Sequence, residues 1–309
     1  MVEFPLRGPA GEPIDLRRLF LSHGVASLPP MGVDDQAWVF ELTVGLPGRR
    51  PRTLRVEPGL PGHGRLTILG PTPDLKTTAL ALAAVRHQLS LDRDLSGFYG
   101  LAEQDPQLSW VVSGAGRMIR GSTVFEDVVK TICTTNCSWA ATTRMVTALV
   151  EHLGERAEAA PVSGWRGRAF PTAAAMAAAP DDFYRRVAGA GYRGPYLREV
   201  ARRVVQDRLD LEALSESALS DEEVMAALRA LPGVGPYAAA HIGLMLGRYS
   251  TLILDSWTRP TYARLLGRRS VSDRSIIKRF KRFGRYAGLA FWLFCTRDWV
   301  PEVPSQART

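Results

Sequence analysis

Cysteine is scarce in this chain. Cys133, Cys137 and Cys295 are the three in 309 residues, an odd and sparse set that excludes a disulfide framework and fits a reducing compartment. Cys133 and Cys137 lie one helical turn apart but have no matching partners, which rejects a metal site, and no iron–sulfur spacing or His-Glu-x-x-His is present. No apolar run approaches the length of a membrane span. Met1 to Pro30 lacks a charged start followed by an apolar core, so no secretory signal is expected. These absences point to a soluble cytoplasmic protein with no membrane partner and no metal. What the chain has in excess is positive charge. Lys and Arg number 39 against 31 Asp and Glu, a net charge of +8, which favours an anionic partner, nucleic acid being the commonest.

The hydropathy pattern divides the chain into sheet first and helices after. Ile14 to Leu21 reads as a short helix. Ala37 to Val44, with Trp38, Phe40, Leu42 and Val44 alternating, reads as a strand, and Gly45 to Gly48 as a turn. Thr53 to Val56 and Arg65 to Leu69 are further short strands. Asp74 caps a helix running to Leu91, with Leu75, Ala79, Leu82 and Val85 as its apolar face. Beyond Asp92 no convincing strand appears. Leu95 to Glu103 and Pro106 to Val112 are short helical connectors. Thr123 with Glu126 three residues on is a capping box, opening a helix faced by Phe125, Val128, Val129, Ile132 and Cys133. Ser138 caps the next helix, faced by Trp139, Thr142, Met145, Val146 and Leu149. Helices follow at 172–179, 181–188, 195–206, 221–231, 237–246, 258–266, 273–283 and 286–294, and the tail from Val300 is polar. The expected fold class is α+β: an N-terminal antiparallel sheet domain over 1–108, then an all-α domain over 109–309.

Between two of these helices lies Leu231-Pro232-Gly233-Val234-Gly235-Pro236-Tyr237. Glycine reaches the positive φ that a tight hairpin needs, and Pro236 suits the first position of the following helix. A hairpin opening into a helix N-terminus presents backbone N–H groups to a phosphate oxygen. Such contacts, from Leu231, Gly233, Val234 and Gly235, would hold a nucleic-acid backbone without reading its sequence; a plain structural corner is the alternative. Asp255 follows the apolar run Ile253-Leu254, where a carboxylate can be held dry, although it could equally cap the helix from Ser256.

Taken together, Leu231 to Pro236 and Asp255 resemble the helix-hairpin-helix DNA glycosylase superfamily. The intervening Gly247-Arg248-Tyr249-Ser250-Thr251 keeps that family's glycine but not its proline. Phe125 to Asn136 is similar to the helix and loop of 8-oxoguanine and 3-methyladenine glycosylases. Gly191-Tyr192-Arg193 and Pro195-Tyr196 resemble their Gly-Tyr-Arg turn, and the sheet domain is similar to their N-terminal domain. The resemblance is firm over 120–300 and fainter over 1–108. It implies a DNA-repair N-glycosylase that flips a damaged base from duplex DNA and cuts the base–sugar bond, with Asp255 stabilising the oxocarbenium-like sugar.

Tyr237 stands where the strand-cleaving members carry a Schiff-base lysine, and a phenol cannot form that imine. The resemblance therefore implies a monofunctional enzyme. An aromatic here is similar to the alkylpurine glycosylases, whose cationic substrates suit an electron-rich ring. His241, one turn on, would line the same pocket unless it is a core histidine. Trp257 is the best of the aromatic pocket candidates Trp139, Trp165, Tyr192, Trp257 and Trp292, and Asn136 sits where the family fills the gap left by the flipped base. Lys278-Arg279-Phe280-Lys281-Arg282-Phe283 is a basic run whose two Phe share a buried side, leaving Lys278, Arg279, Lys281 and Arg282 either for DNA or for solvent. Asp181-Asp182 and Glu222-Glu223 are helix-start charges rather than a catalytic dyad. No cofactor is required, although hairpin carbonyls leave room for a monovalent or divalent cation between protein and phosphate. The expected partner is double-stranded DNA with damaged bases, met by a monomer. The alternatives are an oxidised-purine glycosylase, which Thr134 to Asn136 resembles, and a non-catalytic binder of distorted DNA.

Overall fold

The computed structural model describes residues 1–215 and 218–300; the tail beyond Val300 lies outside the described residues. The N-terminal half is built on one antiparallel sheet of β1 (Val2–Pro5), β2 (Met31–Asp34), β3 (Val39–Leu46), β4 (Arg49–Pro58) and β5 (His63–Ile68), in the order β1-β5-β4-β3-β2. Leu54 and Val56 of β4 are fully buried while Arg55 between them faces out and meets its register partner Glu41 at 3.1 Å, as the two-residue period of a strand demands. The turn expected at Gly45 to Gly48 is tighter than read: Gly45 and Leu46 continue β3, and Pro47-Gly48 alone reverse the chain, with Gly48 at φ +67°. β1 and β2, unanticipated, are four-residue edge strands that carry Pro5 and Gly32, residues that weaken a strand signal but are tolerated at an edge.

α1 (Leu16–Phe20) and α2 (Leu75–Gln88) complete this half. Asp74 caps α2 as expected, accepting the Thr77 N–H at 2.7 Å. The apolar face assigned to that helix is corrected: the buried stripe is Thr77, Ala81, Val85 and Gln88, while Leu75 is 90% exposed. Small residues at that spacing let the helix lie close on the sheet, and side-chain size misidentified the face.

Helices build the rest: α3 (Ser96–Ala102), α4 (Val124–Thr134), α5 (Trp139–Leu153), α6 (Ala173–Ala178), α7 (Arg193–Val205), α8 (Asp221–Arg229), α9 (Pro236–Met245), α10 (Thr258–Leu265), α11 (Asp273–Phe280) and α12 (Ala287–Thr296). They enclose two cores. One gathers α4, α5, α7, α8 and part of α9; the other gathers α10, α11 and α12 with the rest of α9. Phe98, Tyr99 and Leu108 belong to the second of these cores, while the sheet's own core takes in Leu91 and, from further along the chain, Ile119.

Two further readings are refined. Thr123 accepts the Glu126 N–H at 3.1 Å, but the return arm of the capping box is not made. Glu126 instead accepts the Ser122 N–H at 2.9 Å and pairs with Lys130 at 2.7 Å, both side chains being almost fully buried. The complete capping box lies at α8, between Ser220 and Glu223. Trp139, placed on the buried face of α5, is 48% exposed and packs over Gly24 of the N-terminal half. Among the described residues, no helix is long and apolar enough to cross a membrane.

Candidate active site

α8, the Leu231–Gly235 hairpin and α9 form one unit. Gly233 takes φ +79°, and a Cβ there would stand 2.9 Å from the Tyr196 ring. Both the backbone and the close approach therefore require glycine. Gly235 serves differently, with extended backbone at the N-cap of α9 and Pro236 at the helix's first position. Leu231 and Val234 are 6% exposed and anchor the hairpin in the helical core. No side chain caps α9, so its first N–H groups remain for an external acceptor, and the helix dipole favours an anion there.

Tyr237 is the second residue of α9. Its hydroxyl lies 3.4 Å from Thr134 Oγ1 at the end of α4, and burial pushes the phenol above its ordinary pKa. Asp255 enters from the loop before α10. Its Oδ1 accepts the N–H groups of Trp257 and Thr258 at 2.8 and 2.6 Å, and its own N–H donates to Thr258 Oγ1 at 3.0 Å. The carboxylate thus holds the turn into α10 through one oxygen. Oδ2 has no hydrogen-bond partner among the described residues.

A pocket of about 720 Å³ joins these pieces, lined by Thr134, Asn136, Tyr192, Gly233, Tyr237 and Asp255 among others. Asn136 adopts φ +46°, and its side-chain N–H donates to the Tyr192 hydroxyl at 3.5 Å. Arg193 fastens this loop from beneath: it donates to the Thr135 carbonyl at 3.0 Å, and its guanidinium lies 4.4 Å from the Tyr192 ring centroid. The chemically capable groups of the pocket are thus one carboxylate, two phenols and the Cys137 thiol. A larger and mostly apolar cleft of about 780 Å³ lies elsewhere, between the end of β3 with α2 on one side and the start of α4 with α6 and the loop before it on the other.

The structure therefore brings Asn136, Gly233, Gly235, Tyr237 and Asp255 to one pocket. It does not bring His241 there. That imidazole is 5% exposed and lies behind Tyr237, ring centroids 6.0 Å apart. Trp257 is 38% exposed and packs at a tilt against Trp292 at 5.7 Å and Trp299 at 5.4 Å, beside the pocket rather than in its lining. The basic run keeps half its expected freedom. Phe280 and Phe283 are buried and stack at 6.1 Å, as their spacing requires. Arg279 and Arg282, however, turn onto Asp105, Arg279 at 3.7 Å and Arg282 in direct contact. Lys278 and Lys281 remain exposed. Sequence reasoning missed Cys137 as a pocket residue and His23, which packs edge-on against His241 at 5.5 Å. Nothing local marks His23, since it arrives from the sheet half. No group of three or more His, Cys, Asp or Glu capable of holding a metal occurs among the described residues.

The fold has counterparts among solved structures. The chain superposes on 3-methyladenine DNA glycosylase from Archaeoglobus fulgidus with a TM-score of 0.74 at 19% identity, over 97% of this chain and 99% of that one. The fold is that of the helix-hairpin-helix DNA glycosylases. A second structure with that glycosylase fold, Clostridium acetobutylicum 8-oxoguanine glycosylase/lyase in complex with dsDNA, gives 0.71 at 21% identity over 92% of each chain. In sequence, the chain is 26% identical over 220 residues to the Methanothermobacter thermautotrophicus protein named "Probable N-glycosylase/DNA lyase", covering 64% of this chain and 68% of that one. No family model matches.

Proposed function

We propose that this protein is a monofunctional DNA N-glycosylase that excises damaged purines, alkylated ones first, from duplex DNA and leaves an abasic site. The observation that carries the reading is the convergence of the hairpin, Tyr237 and the unmet oxygen of Asp255 on one pocket. The uncapped start of α9 grips a backbone phosphate. The damaged nucleotide, rotated out of the stack, brings its sugar to Asp255. As the glycosidic C–N bond breaks, its electron pair leaves with the base and positive charge grows on the sugar. The Asp255 carboxylate stabilises that charge, which exists only towards the transition state. Water then adds to the sugar carbon and loses a proton.

What the pocket can supply favours one lesion class. A neutral purine leaves readily only if an acid protonates it, whereas an alkylated purine is already cationic and departs neutral. Asp255 is the single carboxyl in the lining, and as a carboxylate it is committed to the sugar. The ring of Tyr237 and the nearby Trp257 offer electron-rich faces to a cationic base. Asn136 stands ready to fill the vacated stack, and Lys278 and Lys281 add attraction for the backbone. The partner is double-stranded DNA, met by a monomer at the cytoplasmic chromosome, and no step calls for a cofactor.

An oxidised-purine reading draws support from relatives named N-glycosylase/DNA lyase. Its lyase form requires an amine where this chain has Tyr237. Incubation with duplexes each carrying one modified base tests the proposal. Strands should break only after alkali, with no adduct trapped by borohydride. Strand cleavage without alkali sinks the monofunctional reading, and a protein that binds but releases no base is a binder rather than an enzyme.

A further inference from the structure

The cleft at the start of α4 has the form of a ligand site. Its volume of about 780 Å³ falls within the roughly 300–1,000 Å³ of small-molecule pockets. Val44, Leu46 and Leu80 of the sheet half wall one side, and Phe125, Leu153 and Phe170 of the helical half the other. The Phe125 and Phe170 rings meet edge-on at 6.5 Å, an aromatic wall for a flat apolar ring. The cleft shares no lining residue with the Asp255 pocket. That pocket takes in Thr134, at the other end of the 11-residue α4, roughly 16 Å along the helix.

The polar groups of the cleft say what it would hold. Gln88 is 1% exposed and lies in the lining. Its Nε2 donates to Ser122 Oγ at 2.6 Å, but Oε1 has no hydrogen-bond partner among the described residues. A buried acceptor without a donor costs stability and is seldom kept. Charge in the lining is of one sign. Glu126, Glu155 and Glu212 contribute carboxylates, and neither lysine nor arginine is among the lining residues, in a chain whose net charge is +8. Glu126 is matched by Lys130 at 2.7 Å, and Glu212 accepts the Val124 and Phe125 N–H groups at 3.1 and 3.3 Å. Glu155 is exposed at the rim, and no ion pair or side-chain hydrogen bond engages it among the described residues. His87 adds no charge at neutral pH, because burial first and Arg120 second lower its pKa to about 4. A nucleic-acid backbone or any other anion is therefore repelled, and a cation with an apolar body is drawn in.

We propose that this cleft binds a small apolar amine, whose buried ring donates an N–H to Gln88 and whose ammonium meets the acidic rim at Glu155. The site is separate from the DNA-facing pocket and stands whether or not the protein is a glycosylase. Because the ligand would touch both halves, its binding should also raise the melting temperature.

Three probes with nearly one shape test it by calorimetric titration of the full chain. Tryptamine carries both the ring N–H and the ammonium. Its benzofuran analogue lacks the N–H, and indole-3-propionate replaces the ammonium by a carboxylate. Tryptamine should bind about five- to tenfold more tightly than the benzofuran amine, the scale of one hydrogen bond. It should exceed indole-3-propionate by about tenfold, the sum of a gained rim contact and an avoided repulsion. Gln88→Leu should bring the first ratio to about one, and Glu155→Gln should shrink the second. Ala84→Phe, which fills the cleft from α2, should abolish binding, while Asp255→Asn should bind tryptamine as the wild type does. No binding of tryptamine, or equal affinity for all three probes, overturns the proposal. So does a loss of binding in Asp255→Asn, which would place the amine in the other pocket. Should Ala84→Phe fail to fold, the probe ratios of Gln88→Leu decide alone, and unchanged ratios overturn the assignment.

Discussion

Replacing Asp255 by Asn separates the cap that residue makes from the catalytic role proposed for it. Its Oδ1 accepts the Trp257 and Thr258 N–H groups at 2.8 and 2.6 Å. An Asn carbonyl can accept both, and Asn serves about as well as Asp in such a turn. Stability should therefore fall by less than about 1 kcal/mol, the difference between two good capping residues. Lost instead is the negative charge facing the sugar. At roughly 4 Å and an effective dielectric of about 20, two unit charges interact by about 4 kcal/mol. Allowing for partial charge on the sugar, the barrier should rise by about 3–4 kcal/mol, a rate loss of about 10²- to 10³-fold. Single-turnover release from a methylated duplex measures the rate, fluorescence anisotropy the affinity, and a melting curve the stability. Rate alone should move. An Asp255→Asn protein within tenfold of the wild-type rate would refute the electrostatic role, and one that melts many degrees lower would show that the carboxylate matters chiefly as a cap.

The other variants probe the grip, the ring and the core. Tyr237→Phe removes only a 3.4 Å contact to Thr134 and should keep base release within about threefold, whereas Tyr237→Ala should lose at least about tenfold with the stacking face; release assays on both decide it. Gly233→Ala forces a side chain onto φ +79° and against Tyr196; it should weaken binding of undamaged duplex and cost about 1–3 kcal/mol in denaturant melts. Lys278→Gln and Lys281→Gln should each reduce the slope of log affinity against log salt by about 1, uniformly across sequences, while Arg282→Gln, which among the described residues leaves buried Asp105 with only the more distant Arg279 at 3.7 Å as its cationic partner, should register mainly as lower stability. Acid should destabilise the fold. His23, His87 and His241 have folded pKa values lowered to about 3, 4 and 4, so below about 6.5 the unfolded chain takes up protons that the native one refuses. Asp127, raised to about 8 by burial first and Glu126 second, offsets one of them. The net two protons predict a loss of roughly 2–3 kcal/mol per pH unit towards pH 5, and a Tm that stays flat from pH 7 to 5 would contradict it.

Features carried by local chemistry could be read directly from sequence. Asp74, Ser138 and the Gly233–Pro236 corner act within four residues of themselves, and each sits where the pattern places it. The long strands β3 and β4 announce themselves by alternation; the edge strands β1 and β2 are too short to do so. Tertiary partners were the blind spot. Arg282 meets Asp105 from 177 positions away, which turned an apparent free cation into a bound one. His23 reaches His241 across the boundary between the halves, so a sequence that shows one histidine on a helix conceals the pair. The return arm expected from Glu126 was lost to Lys130, a stronger partner one turn away in the dry interior.

One helix joins the hairpin to the pocket. From Ala238 to Met245 every residue of α9 is buried, and a helix that is apolar all round is one surrounded on all sides. It enters the core end-on, sharing residues with both helical cores, and only its first turn meets solvent. An ordinary amphipathic helix would lie along the surface and expose one side. This one exposes an end, which concentrates its unpaired N–H groups and Tyr237 at one place. A phosphate held at the N-terminus, as proposed, would therefore be fixed relative to Tyr237 by one rigid turn. The absence of a polar face along Ala238–Leu246, which in isolation gives no amphipathic signal, is what would let the hairpin position a bound backbone as well as anchor it.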